Sequence, residues 1–362
     1  MAAFYINLPV GAVVIFGIIV LPIREQTPKP RGLTVLPKLV HHLDLLGFVL
    51  FAPAVIQLLL ALQYGGNQYA WNSSQVIALF CGAGATTIVW LLWNYHRGDD
   101  ALLPPSMIRR QGVWTAGLFN AFQMASMYGT LYYLPIYFQA IKNTPAILSG
   151  VYIMPMFLPQ LLTAAAAGPI IQKMGYVAPI AIFATVLLSV GSGLLSILRP
   201  SSPAGEWVGF QLIAGIGSGA GLQLGIIAIQ SVTTGEELSS GMAFMVFTQS
   251  LFPAVLLTLC NLILVENLKT QLPEHAPGVN PSTIVKAGAT NFRSTVGSGD
   301  LPGVLDAYSN SMNRVFYLVA ALAAVSSIFI WGMGWKDLRK RGEVAADRVK
   351  GVNPPGDKEA VI

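Results

Sequence analysis

The sequence predicts an all-α protein that crosses a membrane many times. Hydrophobic residues make up 54% of the 362 residues, charged residues only 10%, and the mean hydropathy is +0.61. Soluble domains carry about a quarter charged residues, so the composition excludes that class. Apolar stretches long enough to cross a bilayer as helices, about 20 residues each, recur along the chain. They lack the alternation of polar and apolar residues that a membrane β-barrel requires.

Nine such stretches give the expected number of transmembrane helices. Every Lys and Arg lies outside them, as the cost of a charge at the centre of a span requires. The predicted spans 1 to 9 are residues 4–22, 44–63, 74–95, 113–133, 147–166, 178–198, 207–230, 241–264 and 315–335.

The distribution of basic residues predicts the orientation of these spans. Fifteen of the 21 Lys and Arg follow odd-numbered spans or lie in the tail. The positive-inside rule therefore places the tail, residues 336–362, in the cytoplasm and the long loop 265–314 outside. Counting back over nine spans puts residue 1 outside. The net charge of +5 is then a signal of topology and does not indicate a nucleic-acid partner.

The first segment, "MAAFYINLPVGAVVIFGIIVLPIRE", allows three interpretations: a signal peptide, a first span, or a span whose predecessors are missing. A signal peptide has a basic region before a short apolar core, whereas no basic residue precedes Arg24. A first span that starts outside with no upstream charge to orient it is unusual. Loss of an odd number of preceding spans would explain it, and this is our expectation.

Several strings resemble one family of membrane proteins. "FYINLPVGAV" is similar to the start of the sixth helix in the fourteen-span drug:proton antiporter group of the major facilitator superfamily, although the usual preceding "WRW" is absent. Other similar strings follow in the family's order, and the last two resemble its fungal members. They are "LDLLGFVLFAPAVIQLLLALQYGG", "LYYLPIYFQAIKNTPAILSGVYIMP", "GPIIQKMGY", "GIGSGAGLQLGIIAIQ", "IVKAGATNFRSTV" and "VLDAYSNSMNRVFYL".

The resemblance implies a domain organisation. Residues 1–22 would be the last helix of a truncated N-terminal half that lacks about five spans, and 23–43 a cytoplasmic loop. Residues 44–112 would be an extra central helix pair with its linker. Residues 113–335 would be the complete C-terminal half, with three helices repeated in inverted orientation.

The resemblance also implies a function. The full-length protein would export small amphipathic molecules such as drugs or toxins in exchange for protons, across the plasma membrane or a vacuolar or other internal membrane. Its partners would be the lipid bilayer, a small-molecule substrate and protons, with no cofactor, metal, nucleic acid or enzymatic activity. A proton-coupling carboxylate would lie in the missing spans, because no Asp or Glu occupies the centre of a predicted span. The alternative is a truncated, non-transporting membrane protein or partner subunit of the same fold.

Polar and Met side chains on the central spans are the candidates for a substrate cavity. In the family's arrangement, spans 4 and 7 would face the cavity, and spans 5 and 8 would flank it. Asn120, Gln123 and Met127 share one face of span 4, which would contact either a substrate or a neighbouring helix. The other candidates are Gln160, Gln211, Gln223, Met245 and Gln249.

Glycines in span 7 are the candidates for close helix packing. Gly217, Gly221 and Gly225 recur every four residues and predict a smooth stripe for a neighbouring helix, while Gly215 and Gly219 add backbone freedom. The stripe would serve either static packing or the sliding of helices as the cavity changes its access.

Two further strings are weaker signals. In "GPIIQKMG", Gly168, Lys173 and Gly175 match a degenerate cytoplasmic loop motif of the superfamily, whose Lys would contact helix ends or lipid phosphates, and a plain basic turn is the alternative. In "QSLFPAV", where the family has a glycine pair, Pro253 predicts a kink of span 8.

Overall fold

The computed structural model describes residues 5, 7–20, 44–233 and 236–334, and the regular secondary structure in these ranges is helical. The predicted cytoplasmic loop 23–43 and tail 336–362 lie outside them. The chain divides into two compact units, residues 1–45 and 46–362. In the first, the described element is α1 (Asn7–Val20), an apolar helix of 14 residues.

Twelve α-helices follow, with short 3-10 turns at Gly98–Asp100, Phe292–Ser294 and Trp331–Met333. They are α2 (Leu45–Tyr64), α3 (Ser74–Arg97), α4 (Pro105–Ile108), α5 (Gln111–Ala140), α6 (Ala146–Val151), α7 (Met154–Met174), α8 (Ala178–Leu195), α9 (Ala204–Gly221), α10 (Leu224–Val232), α11 (Glu236–His275), α12 (Pro281–Asn291) and α13 (Leu301–Ile330).

Seven helical segments of the described residues are long and apolar enough to cross a membrane, judged by length and composition. They are α2, α3, α6 with α7, α8, α9 with α10, α11, and α13. The chain is therefore a multi-pass helical membrane protein. Helix α5 is 30 residues long but is not one of the seven, and it carries the polar Asn120 and Gln123 within its apolar sequence.

Helix α5 is the centre of the second unit. Of its 30 residues, 19 are buried, and it packs against α10, α11 and α13. Helix α9 packs between α7 and α8, and α8 also packs against α13. The polar residues of α5 are consequently enclosed by neighbouring helices, which is where polar groups of a membrane protein avoid hydrocarbon.

Most of the segment 265–314, predicted as an outer loop, is helical, and its place outside the membrane stays a prediction. Helix α11 continues to His275, α12 follows, and α13 begins at Leu301. Hydropathy locates only the apolar part of a helix, so the polar ends of α11 and α13 were not predicted to be helical. Helix α11 is also continuous through Pro253.

The ends of α5 mark two ends of the helix bundle, which we call the Arg110 end and the Arg293 end. At the Arg293 end, Arg293 caps the C-terminus of α5. Its Nη2 donates to the carbonyls of Ala140 and Ile141 at 3.0 and 2.9 Å, and its Nε to Ala140 at 3.3 Å. A cation at this position satisfies carbonyls that have no partner within the helix.

The turn between α8 and α9 is held at the same end by side-chain donors. Lys142 Nζ donates to the carbonyls of Pro200 and Ser202, both at 2.7 Å, and Tyr137 donates to that of Arg199 at 2.9 Å. Burial lowers the pKa of Lys142 from its ordinary value, and the Glu206 carboxylate partly offsets this effect.

The Arg110 end is held by an ion pair. Arg110 Nη1 and Nη2 donate to the two carboxylate oxygens of Glu237, each at 2.7 Å, and this contact joins the start of α5 to the start of α11. Both side chains are more than two-fifths exposed, at 45% and 43%. Water therefore screens this pair more than the contacts at the Arg293 end.

Candidate functional site

Asn120, Gln123 and Met127 lie on α5 and are buried, with 0%, 1% and 7% of their surface exposed. Gln123 hydrogen-bonds neighbouring helices. Its Nε2 donates to the Gly217 carbonyl of α9 at 3.5 Å, and its Oε1 accepts from Ser326 Oγ of α13 at 3.4 Å. Of the two roles that the sequence leaves open, contact with a neighbouring helix is the one that this conformation shows for Gln123.

Ser326 extends this contact to α8. The Ser326 and Thr185 hydroxyls are 3.2 Å apart, so Gln123 is linked through Ser326 to a third helix. Thr130, further along α5, similarly lies 3.4 Å from Ser192 Oγ of α8. The sequence argument missed Thr185, Ser192 and Ser326 because it sought candidates on spans 4, 5, 7 and 8, whereas these residues lie on spans 6 and 9. The available signal was the presence of Ser and Thr within apolar spans.

Met127 and Gln160 were predicted on different helices, and the structure brings them into contact. Gln160 Nε2 of α7 donates to Met127 Sδ at 3.1 Å. Gln160 Oε1 is buried without a hydrogen-bond partner among the described residues. Whether the two line a cavity stays a prediction.

Asn120 lies one helical turn from Gln123 but differs from it in hydrogen bonding. Its side chain is completely buried, and neither Nδ2 nor Oδ1 has a hydrogen-bond partner among the described residues. A buried polar group without a partner costs about 1–3 kcal/mol. The amide of Asn120 therefore destabilises the conformation seen here.

The helix beside Asn120 is interrupted only slightly, by two residues whose backbone stays in the right-handed region. Helix α9 ends at Gly221 and α10 begins at Leu224, with Leu222 and Gln223 between them. No side chain caps the start of α10. Gln223 is exposed at this break, so among the amide candidates it is one that a ligand could reach without moving the helices.

The glycines of α9 and α10 contact several helices, which differs from the predicted single stripe. Gly215 and Gly219 face α7, where an added Cβ would lie 2.9 Å from Pro159 Cγ and 2.8 Å from the Gln160 carbonyl carbon, respectively. Gly217 faces α8, where an added Cβ would overlap the backbone. The helix rotates successive glycines towards different neighbours, so each provides close approach to its own partner.

Gly221 and Gly225 face α5 at Gln123 and Asn120, respectively. A Cβ on Gly221 would lie 2.9 Å from Cδ of Gln123. A Cβ on Gly225 would lie 2.8 Å from Cβ of Asn120 and 2.9 Å from Cε of Met245. These glycines let the backbone on both sides of the break approach the amide side chains of α5.

The remaining candidates are distributed over α9 and α11. Met245 is fully buried and contacts the Gly225 site. Gln249 is half-buried, and Pro253 lacks the N–H that would bond its carbonyl within the helix. Gln211 is fully buried on α9, with neither amide atom hydrogen-bonded among the described residues.

The loop-motif residues form the end of α7. Gly175 adopts φ +81°, a left-handed conformation that favours glycine, and its N–H donates to the Ile171 carbonyl at 2.7 Å. Lys173 is exposed in the last turn, and nothing approaches a Cβ built on Gly168 within 4 Å. The geometry is that of a glycine-capped basic turn.

A cleft of about 540 Å³ lies at the Arg293 end and contains none of the predicted candidates. Asp306, Asn310 and Asn313 line one wall from a single face of α13, and Arg199 and His275 come from other segments. Elsewhere in the described ranges, no three His, Cys, Asp or Glu side chains are grouped so that they could hold a metal ion.

The chain is similar to fungal transporters. It is 50% identical to the MFS-type transporter pigP of Monascus ruber over 93% of this chain and 59% of that protein. It is 44% identical to the MFS-type transporter calB of Penicillium decumbens over 94% and 61%, and 40% identical to the efflux pump mlcE of Penicillium citrinum over 95% and 64%. The chain thus spans about three-fifths of the length of these relatives.

These relatives are named as transporters and efflux pumps, a non-enzymatic class of membrane protein, as the sequence predicts. Among solved structures, a bacterial homolog of the human lysosomal transporter Spinster overlays with a TM-score of 0.47 and 13% identity, over 76% of this chain and 62% of that one. No protein-family model matches the chain.

Proposed function

We propose that this chain is the C-terminal part of a fourteen-span, proton-coupled efflux transporter of the major facilitator superfamily, which exports small amphipathic molecules. The observation that carries the proposal is the 40–50% identity, over more than nine-tenths of the chain, to proteins named as MFS-type transporters and an efflux pump. Their greater length leaves room for further spans. In this proposal α1 and α5 also cross the membrane, so that the seven apolar segments become nine spans. Residues 113–335 form the C-terminal half.

The buried amide side chains of α5 and α7 support a transport role. Gln123, Gln160 and Asn120 bring amides into the interior of an apolar helix bundle, where a polar group without a hydrogen-bond partner costs free energy. Polar residues at such positions often mark functional sites. The exposed Gln223 lies at the helix break beside them. Discontinuous helices near buried polar groups are a common way for transporters to build substrate sites.

The proposed orientation puts the Arg110 end in the cytoplasm and the Arg293 end outside, in the plasma membrane or an internal membrane. Protons would be the coupling ion, and the carboxylate that binds them would lie in spans that this chain lacks. The described Glu266 forms an ion pair with Lys269 at 3.2 Å near the Arg293 end of α11, so its contacts indicate a structural role. A non-transporting partner subunit remains the alternative function.

The test joins this chain to the N-terminal two-fifths of the pigP transporter and expresses the chimera in an efflux-deficient yeast. We expect lower accumulation of amphipathic fluorescent dyes than in cells with an empty vector, and recovery of accumulation when a protonophore dissipates the proton gradient. The chain alone, at matched abundance in the membrane, should not export. A well-localised chimera that leaves dye accumulation unchanged would favour the non-transporting alternative.

A further inference from the structure

The amide of Asn120 lies where nothing outside the chain can reach it. Both of its polar atoms are buried by the chain's own helices and lack partners among the described residues. Additional spans of a longer protein could not supply a hydrogen bond without rearranging these helices. The partner of Asn120 must therefore come from a change within the bundle or from a small molecule that enters it.

The element against Asn120 is the first turn of α10. Gly225 is the second residue of that helix, and the absence of its side chain lets the backbone lie against Asn120. Cβ of Asn120 lies 2.8 Å from the position of a Cβ built on Gly225, and the amide of Asn120 has no partner among the described residues. The start of α10 therefore lies beside the unpartnered residue.

The surroundings define the chemistry of a ligand. An amide offers one acceptor and two donor hydrogens, so it pairs best with a group that both donates and accepts. The charged side chains of α5 and α11 nearest in sequence, Arg110 and Glu237, pair with each other at the end of the bundle, and no Lys or Arg lies within the central residues of α5 or α10. Met245, a flexible apolar side chain, also lies against Gly225.

We propose that Asn120 and the first turn of α10 form a ligand site that opens when α10 turns at the break between Gly221 and Leu224. The ligand's uncharged hydroxyl, carboxamide or protonated carboxylic acid bonds the Asn120 amide, and its apolar part lies against Met245. This inference rests on the proposed transport function and names the chemical class of its substrate. Gln223 is exposed at the break, so the ligand enters the site from that side of the helices.

Thermal unfolding of the chain in lipid nanodiscs tests the site directly. Asn120→Leu removes an unpartnered amide at nearly constant size, so the ligand-free melting temperature should rise by about 2–4 °C. Ser126→Ala is the control, because it removes another fully buried polar group without a partner among the described residues, elsewhere on α5. Gln123→Leu should lower the melting temperature, because Gln123 has partners.

The probes are the octyl ester of para-hydroxybenzoic acid and its methyl ether, which lacks the donor hydrogen. The unmodified chain and Ser126→Ala should bind the phenol about tenfold more tightly than the ether, a difference typical of one hydrogen bond made in a dry site. Asn120→Leu should bind both equally. A preference that persists in Asn120→Leu, or one that is absent from the unmodified chain, would overturn the inference.

The same pair of probes in the yeast chimera separates this inference from the proposed function. Export of both probes without a preference that depends on Asn120 would leave the transporter proposal standing and reject the site. Binding that prefers the phenol through Asn120, in a chimera that exports neither probe, would support the site and reject transport.

Discussion

The two ends of the helix bundle are held together by different chemistry. At the Arg110 end, an exposed ion pair between Arg110 and Glu237 joins α5 to α11. At the Arg293 end, Arg293, Lys142 and Tyr137 donate to backbone carbonyls. An exposed ion pair contributes little because water and salt screen it, whereas a charged donor on a partly buried carbonyl contributes more. The difference predicts that the Arg110 end separates first when the helices move.

The largest expected effect is that of Gly303→Ala at the Arg293 end. An added Cβ would overlap the backbone carbonyl of His275, which cannot rotate away as a side chain could. Overpacking of this kind costs about 1–3 kcal/mol, and we expect the upper end of that range in thermal unfolding of the detergent-solubilised chain.

The matched control is Gly112→Ala at the Arg110 end. Its new Cβ would lie 3.2 Å from Cγ1 of Val232, a side chain that can shift slightly. We expect a change below about 1 kcal/mol, because Ala also favours the helix. Equal losses of unfolding free energy in Gly303→Ala and Gly112→Ala would show that the two ends tolerate an added Cβ equally well.

Arg293→Ala should have the next largest effect. It removes all three hydrogen bonds that cap α5 and leaves the carbonyls of Ala140 and Ile141 without those donors. We expect a loss of about 2 kcal/mol, together with faster amide hydrogen exchange in residues 140–146. Arg314→Ala, at an exposed position of α13, removes the same charge and is the control. A similar loss in Arg314→Ala would attribute the effect to net charge.

Arg110→Gln should have the smallest effect. We expect less than about 1 kcal/mol at low ionic strength and almost nothing in molar salt. A double-mutant cycle with Glu237→Gln isolates the interaction of the pair. A coupling energy larger than the Arg293→Ala loss, or one that is insensitive to salt, would reverse the ranking of the two ends.

Much of the fold could be predicted because a membrane span must be apolar. That requirement located α2, α3 and α8 closely. It could not locate the polar ends of α11 and α13, since polar residues give no such signal. Helix α12 did have a readable signal: Asn280 accepts from the N–H of Ser282 at 3.0 Å as an N-cap, and Pro281 occupies the first turn.

Less of the candidate site could be predicted. Helical spacing placed Asn120 and Gln123 on one side of α5, but their different hydrogen bonding depends on helices far away in sequence. The pattern "GSGAGLQLG" is equally compatible with a continuous packing surface and with an interrupted helix. Only the packed structure shows that the interruption falls at Leu222 and Gln223, beside Asn120.

Because α11 is long, a small bend within it would move its end by a large distance. Its 40 residues extend about 60 Å, twice the thickness of a bilayer's hydrocarbon core. Pro253 lacks one of the helix's internal bonds, and about 33 Å of helix lie between it and His275. A bend of about 10° introduced at Pro253 would therefore carry His275 through about 6 Å, roughly the rise of one helical turn.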